Sequence, residues 1–250
     1  MFDVFVKFWW QFCLIAVLSY CVGGINFAVI FSRLIKKSDV RKFGSGNSGA
    51  TNMYRVYGLR MGALTLVCDA LKGVVCCLAA KYSVITLGAD ASLHASYIAG
   101  LFAVLGHVFP VLFKLRGGKG VATAIGVSFC VQPILMLCCV LPMIAVILLT
   151  DRMSVMSCLY SLFMIVWCWT MLLPSIGLFC CTVFTIMFII VLFAHRHNIV
   201  RVFTGKESRL GIRKALSGKG EHHLQELKER EERKNAEKEN NDINGDGTEK

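Results

Sequence analysis

The number of membrane crossings depends on one apolar stretch, "VATAIGVSFCVQPILMLCCVLPMIAVILLTDR", which runs from Val121 to Arg152. Its uncharged part, 121–149, is longer than the roughly 20 residues that one membrane helix needs, and it contains Pro133. Because proline lacks a backbone N–H and restricts the residue before it, we expect a break near Gln132. The first piece, about 11 residues long, is then too short to cross about 30 Å at 1.5 Å per residue. Such a short helix should pack against protein rather than lipid.

The rest of the chain is apolar as well. Of its 250 residues 56% are hydrophobic and 17% are charged, against about 25% charged in an average soluble domain. We therefore predict an all-α integral membrane protein whose membrane domain covers residues 1–212. The other candidate spans are about 8–31, 61–87, 92–113, 154–173 and 175–194.

Basic residues set the expected orientation. Residues 1–212 contain 18 Lys and Arg but only 6 Asp and Glu, and most of the bases fall in the regions 33–60, 114–119 and 196–209. The positive-inside rule puts these regions in the cytoplasm and the N-terminus outside. Six crossings would leave the C-terminal region outside. A break at Gln132 gives seven transmembrane helices, one short or broken, and a cytoplasmic C-terminus.

The last part of the chain, residues 213–250, differs in composition. It is rich in charges of both signs and poor in apolar residues, so we predict a charged cytoplasmic tail that is either disordered or a solvated helix. Of the 12 cysteines, most lie inside predicted spans, where cysteine acts as a small hydrophobic residue. None has zinc-ligand spacing with histidine, and we predict no metal site.

The first polar loop, "RKFGSGNSGATNMYR" (Arg41–Arg55), contains a G-x-G-x-x-G pattern. A dinucleotide-binding turn should follow a β-strand, whereas a membrane helix precedes this one. The loop is either a flexible solvated segment or a glycine nest whose N–H groups bind an anion. Ser45, Asn47 and Arg55 lie close to the glycines and favour the nest.

The second polar loop, "GHVFPVLFKLRGGKGVATAIG" (Gly106–Gly126), is not a Walker A motif, because no Ser or Thr follows Lys119. The stretch Arg116–Gly120 nevertheless opens directly into a helix and combines two cations with glycine N–H groups. These parts suit a phosphate cradle. The alternative is a set of basic residues that anchors the loop at the lipid surface.

The third polar loop, "AHRHNIVRVFTGKESRLG" (Ala194–Gly211), places His195 and Asn198 on one face if the helix continues. A single histidine at a membrane boundary is often only an interface residue.

Three further polar residues lie in or beside the predicted spans. His107 is at the end of its span, and Asp69 and Lys72 lie three residues apart inside theirs. Intramembrane charges are costly and are candidates for function. The alternative, that Asp69 and Lys72 only pair with each other, has equal weight.

Together the three loops resemble those of the bacterial membrane glycerol-3-phosphate acyltransferases that use acyl-phosphate, the PlsY type. The resemblance covers about residues 10–210. It is carried by "GSGNSGATNMYR" in the first loop, "GHVFP" and "GGKGVAT" in the second, and "HRHN" and "GKE" in the third.

The resemblance implies a seven-helix enzyme of the bacterial cytoplasmic (inner) membrane, with its active site facing the cytoplasm. Its reaction would transfer an acyl group from acyl-phosphate to the sn-1 hydroxyl of glycerol 3-phosphate. The products, 1-acyl-glycerol 3-phosphate (lysophosphatidic acid) and phosphate, belong to the first step of phospholipid synthesis. The implied partners are these two substrates and membrane lipid, with no cofactor and no nucleic acid.

The resemblance also assigns residues. The implied catalytic residues are Ser45, His195 and Asn198. The implied substrate-binding residues are Asn47, Arg55, Arg116, Gly117, Gly118, Lys119 and Gly120. Glu207 would support the structure, and Asp69 with Lys72 matches a family D-x-x-K-G pattern. The chain departs from the family at Arg116, where Lys is frequent, at His197, where Glu is common, and at Lys206, where Thr is common.

Acyl-phosphate is already activated, so the protein needs only to align two phosphate-bearing substrates and stabilise developing charge. The general base stays open between His195, whose ordinary pKa is about 6.5, His107, and an oxygen of a substrate phosphate.

Three other functions compete with this one. An acyl-CoA-dependent acyltransferase would carry His followed five residues later by Asp, which no histidine here does. A transporter of organic phosphates and a structural membrane protein would not explain three polar glycine-rich loops.

Overall fold

The computed structural model describes residues 2–212, with side chains from residue 6 onward, so the predicted tail 213–250 lies outside the described residues. All regular structure in this part of the chain is helical. The α-helices are α1 (Phe2–Gly23), α2 (Phe27–Lys36), α3 (Ala50–Tyr57), α4 (Leu59–Ser83), α5 (Ala89–Val108), α6 (Val121–Val131), α7 (Pro133–Thr150), α8 (Met153–Trp167), α9 (Leu173–Ala194) and α10 (Arg196–Phe203). Single 3₁₀ turns occur at Val40–Lys42, Ile85–Leu87 and Val111–Phe113, and a π-helical turn at Cys168–Leu172.

Five segments in the described residues are long and apolar enough to cross a membrane. They are Val6–Lys36, Leu59–Ser83, Ala89–Phe113, Pro133–Thr150 and Met153–Ala194. The last of these, 42 residues long, folds back on itself. The indole of Trp169 in the π-helical turn donates to the Thr185 hydroxyl at 2.9 Å, and the rings of Tyr160 and Phe188 lie 5.4 Å apart. Helices α8 and α9 are therefore antiparallel, and Gly177 adopts a positive φ of 75° in the reversal.

The predicted break at Gln132 is confirmed. Helix α6 ends at Val131 and α7 begins at Pro133, with non-helical backbone at Gln132 (φ −143°, ψ 63°). Proline at the first position of α7 costs no hydrogen bond, since that N–H has no partner within a helix. The short helix α6 packs against α4 and α5, as expected for a segment that cannot cross a bilayer alone.

The predicted span 8–31 corresponds to the candidate segment Val6–Lys36, within which the chain forms two helices rather than one. Helix α1 ends at Gly23, and Asn26 caps α2 by accepting the Val29 N–H at 3.1 Å. The Gly23-Gly24-Ile25-Asn26 sequence contains both a stop and a start signal for helices, which the long apolar run concealed. Exposed Leu34 and Ile35 near the basic end of α2 give this helix the character of an interfacial segment.

Small residues let the helices approach closely. Helix α5 presents Ala91, Ala95, Ala99 and Ala103 to the core shared with α1 and α4. A Cβ on Gly106 would collide with the Tyr20 carbonyl of α1. Helix–helix contacts of this kind are favoured in membranes, where lipid tails are as apolar as the side chains. His107 is the next residue in this four-residue series, so its ring lies inside the bundle.

The contact between α4 and α6 depends on two further glycines. A Cβ on Gly73 would collide with the carbonyl oxygen of Thr123, and one on Gly126 with the carbonyl oxygen of Ala70. The two backbones therefore touch, and this contact fixes the start of α6 relative to α4.

We predict that Gly126→Ala lowers the unfolding temperature of the detergent-solubilised protein. Filling a close contact costs about 1–3 kcal/mol, whereas the same change in an isolated helix would stabilise it by up to about 1 kcal/mol. The unfolding temperature, measured by intrinsic tryptophan fluorescence, therefore shows by the sign of its change whether Gly126 lies in a close contact. Ala79→Val, which enlarges an exposed side chain of α4, is the control and should leave the midpoint nearly unchanged. A higher unfolding temperature for Gly126→Ala would contradict the contact.

Candidate active site

Asn52 organises the first loop. Its Oδ1 accepts the Ser45 backbone N–H at 2.9 Å and the Ser45 hydroxyl at 3.2 Å. Its Nδ2 donates to the carbonyls of Val40 and Phe43, each at 3.1 Å. The side chain of Asn52 is thus enclosed by the loop, and it holds the exposed Ser45 at the protein surface. Asn47 is partly exposed in the same loop.

The second loop folds back onto the end of α5. The Gly117 N–H donates to the Val108 carbonyl at 3.2 Å and the Gly118 N–H to the His107 carbonyl at 3.0 Å. In a phosphate cradle, one of the two alternatives from the sequence, glycine N–H groups would donate to the phosphate. Here the N–H groups of Gly117 and Gly118 satisfy the carbonyls that the end of α5 leaves open. Gly120 caps α6 with a positive φ of 82°. The part of the glycines in substrate binding stays a prediction.

His195 lies at the junction of α9 and α10, just beyond the apolar segment, and is only 2% exposed. Its Nδ1 is 2.8 Å from the Val191 carbonyl, so Nδ1 carries the proton and Nε2 presents a lone pair. Burial and, to a smaller extent, the positive charge of Lys119 lower the His195 pKa to about 4. The imidazole is therefore neutral at physiological pH.

Lys119 and Asn198 connect the second loop with the third. The Lys119 ammonium donates to Asn198 Oδ1 at 2.6 Å. Asn198 Nδ2 in turn donates to Glu207 Oε1 at 2.8 Å and to Ser154 Oγ at 2.9 Å. The Ser154 hydroxyl donates to the same Glu207 oxygen. Arg201 Nε donates to the other oxygen of Glu207 at 3.0 Å. The carboxylate of Glu207 thus fixes the amide that holds Lys119.

The charges around Lys119 favour an anion. Burial lowers the Lys119 pKa to about 8, and Arg201 and Arg55 act in the same direction while Glu207 opposes them. Burial also lowers the Arg55 pKa, and this guanidinium donates to the Ser208 carbonyl at 3.3 Å. Burial raises the Glu207 pKa, but hydrogen bonds from Ser154, Asn198 and Arg201 outweigh it and leave the pKa lowered. Three cations thus face one carboxylate, and the excess positive charge attracts a phosphate.

A second polar cluster lies deeper, below the glycines. Lys72 Nζ is 2.9 Å from Asp69 Oδ1 and 2.8 Å from His107 Nδ1. Asp69 and Lys72 therefore form an ion pair, which was one of the two alternatives that the sequence left open. Arg116, in contrast, is exposed, and its role in binding stays a prediction.

Three residues that hold the site together were not among the predicted site residues, namely Asn52, Ser154 and Arg201. Ser154 had a weak signal, because Ser154, Ser157 and Ser161 recur on one buried face of the apolar helix α8. Asn52 and Arg201 had none, since a polar residue in a polar loop shows its partner only after folding.

Comparison with known proteins identifies the family. The model of the family described as "Glycerol-3-phosphate acyltransferase" matches residues 13–205. The chain belongs to this family. The acyltransferase of Finegoldia magna is 35% identical over 200 residues, covering 79% of this chain and 96% of that protein. The acyltransferase of a Thermoanaerobacter species is 39% identical over 201 residues, covering 79% and 95%.

Solved structures of one acyltransferase share the fold. The crystal structure of PlsY (YgiH) in its glycerol 3-phosphate form aligns with a TM-score of 0.71 at 31% identity, covering 82% of this chain and 98% of that one. Its lysophosphatidic acid form aligns with a TM-score of 0.67 at 30% identity, covering 79% and 94%. The predicted resemblance to the PlsY acyltransferases is confirmed, and with it an acyltransferase in a membrane.

Proposed function

We propose that this enzyme transfers an acyl group from acyl-phosphate to the sn-1 hydroxyl of glycerol 3-phosphate, releasing lysophosphatidic acid and phosphate. The observation that supports this most is the partly buried Lys119, held by Asn198 and accompanied by Arg55 and Arg201 at the end of an apolar bundle. Such a site suits a phosphate-bearing substrate beside a membrane-embedded acyl chain. The glycerol 3-phosphate and lysophosphatidic acid forms of the PlsY relative agree with this substrate and product.

In this proposal Lys119 and Arg55 bind the phosphate of glycerol 3-phosphate. Arg116 and the exposed Ser45 and Asn47 of the first loop face the second phosphate-bearing substrate. Asn198 orients the ammonium of Lys119 through its Oδ1, while its own amide stays fixed by Glu207. The apolar helices below accept the acyl chain.

The chemical step forms a bond between the sn-1 oxygen and the acyl carbon and breaks the bond between that carbon and the phosphate oxygen. The phosphate leaves with the electron pair, and cations nearby stabilise its charge. A pKa of about 4 makes His195 a weak proton acceptor at neutral pH. His195 Nε2 therefore accepts a hydrogen bond from the sn-1 hydroxyl and orients it, and a substrate phosphate oxygen takes the proton. His107 does not serve as the base, because Lys72 occupies its Nδ1.

We also propose the finer topology. The five long segments, the reversal between α8 and α9, and the short helix α6 support a count of seven membrane segments, and the basic loops favour an N-terminus outside. The three polar loops and the C-terminus then lie on the cytoplasmic side of a bacterial inner membrane. Proteolysis of sealed, inside-out vesicles tests this arrangement. Protection of an exposed site near Lys42 in such vesicles would overturn it.

We predict that the purified protein releases phosphate from acyl-phosphate only when glycerol 3-phosphate is present. Lysophosphatidic acid should appear in equal amount, and the donor should not be replaceable by acyl-CoA. Phosphate release and lipid product are measured together in detergent, with the Lys119→Ala variant as the control whose site is impaired. Release that does not depend on glycerol 3-phosphate would contradict the acceptor, and equal activity with acyl-CoA would contradict the donor.

The pKa of Lys119 predicts a pH dependence. Its ammonium attracts a phosphate only while protonated, so kcat/KM for glycerol 3-phosphate should fall as the pH rises through about 8. Lys119→Arg should remove this fall, because a guanidinium stays protonated throughout the range. Lys114→Arg, an exposed change in the same loop, should keep it. An unchanged alkaline limb in Lys119→Arg would show that another group causes the fall.

A further inference from the structure

Lys72 is the centre of the deep polar cluster, with one ion pair and two hydrogen bonds. It is 2.9 Å from Asp69 Oδ1 and donates to the Ile25 carbonyl and to His107 Nδ1, both at 2.8 Å. The side chains of Lys72 and Asp69 are 3% and 2% exposed. A buried ion pair of this kind adds little to stability compared with apolar residues, so its presence calls for another explanation.

One contact of Lys72 leads to the first loop. Ile25 lies between α1 and α2, and the next residue, Asn26, caps α2. The Asn26 side chain also donates to the hydroxyl of Ser48, in the glycine-rich part of the first loop, at 2.7 Å. Lys72 therefore bonds to the turn between α1 and α2, and this turn binds the first loop through Asn26.

The other contact leads to the second loop. Because Lys72 has no acceptor, His107 Nδ1 accepts its proton and Nε2 carries the ring hydrogen. The ring lies directly against Gly118, since a Cβ there would collide with His107 Nε2. Gly118 also donates to the His107 carbonyl, and the next residue is Lys119.

We propose that Lys72, held in place by Asp69, is a positioning residue that fixes the first and second loops relative to each other. It acts on the first loop through Ile25 and Asn26, and on the second through His107 and Gly118. The substrates thereby meet loops whose relative position is set before binding. The proposal rests on the proposed role of Lys119 in binding phosphate.

The first test is the double variant Asp69→Asn/Lys72→Gln, which removes both charges together and leaves no unpaired buried ion. The shorter glutamine cannot reach Ile25 and His107 at once. Per folded enzyme, measured after size-exclusion chromatography in detergent, we expect KM for glycerol 3-phosphate to rise about tenfold. A merely structural role would lower the folded yield but leave the KM of the folded fraction unchanged.

The second test leaves the ion pair intact and therefore decides the matter even if the double variant does not fold. In His107→Asn the amide keeps an acceptor near Nδ1 for Lys72 but withdraws the ring from Gly118. KM for glycerol 3-phosphate should again rise, and Gly118→Ala should be less harmful in this background than alone, because the space beside Gly118 is free. Ser48→Ala tests the branch to the first loop.

Two control variants separate a failure of the positioning role from a failure of the proposed role of Lys119. His94→Asn changes another buried histidine of α5 and should leave KM unchanged. Lys119→Ala should raise KM, and if it does not, the proposed role of Lys119 fails independently. Wild-type KM in His107→Asn, with Lys119→Ala impaired, would overturn the positioning role of Lys72, and so would wild-type KM in the folded double variant.

Discussion

Close backbone contact between helices is the constraint on which the rest of the structure depends. In a membrane the helices gain little from hiding apolar side chains, because the lipid is equally apolar. Helix α5 meets α1 through Gly106 and a row of alanines, and α4 meets α6 through Gly73 and Gly126. The glycine contacts leave no room for a Cβ, so they set the distance between helices and therefore the places where the polar loops begin.

On this scaffold, two buried polar clusters determine the geometry of the loops. Glu207 fixes Asn198, which fixes Lys119, and Lys72 contacts the turn before α2 and the ring beside Gly118. Both clusters satisfy their buried groups mainly with neighbours from distant parts of the chain. Desolvation is costly for such groups, and a single well-defined arrangement of partners results. This pre-organisation suits the proposed reaction, in which two anionic substrates are aligned.

The sequence predicted the elements where the local signal was strong. Pro133 after a polar Gln132 marked the break between α6 and α7, and the glycine-rich motifs marked the loops. It did not show the end of one helix and the cap of the next at residues 24–26, because the apolar run continues on both sides of them. It also did not show the backbone partners of the Gly117 and Gly118 N–H groups, because the need of the α5 carbonyls for donors is visible only once the loop has folded back.

By itself the sequence determined the membrane location, the helical class, the three polar loops and, through their motifs, the family. These follow from hydropathy, proline and glycine chemistry and charge, all of which act over a few neighbouring residues. Only the tertiary structure decided which polar groups meet. Lys119 and Asn198 are 79 residues apart, and Lys72 and Ile25 are 47 apart, and no local pattern encodes either pair. Their contact depends on how closely the glycine-bearing helices pack, which is a property of the whole bundle.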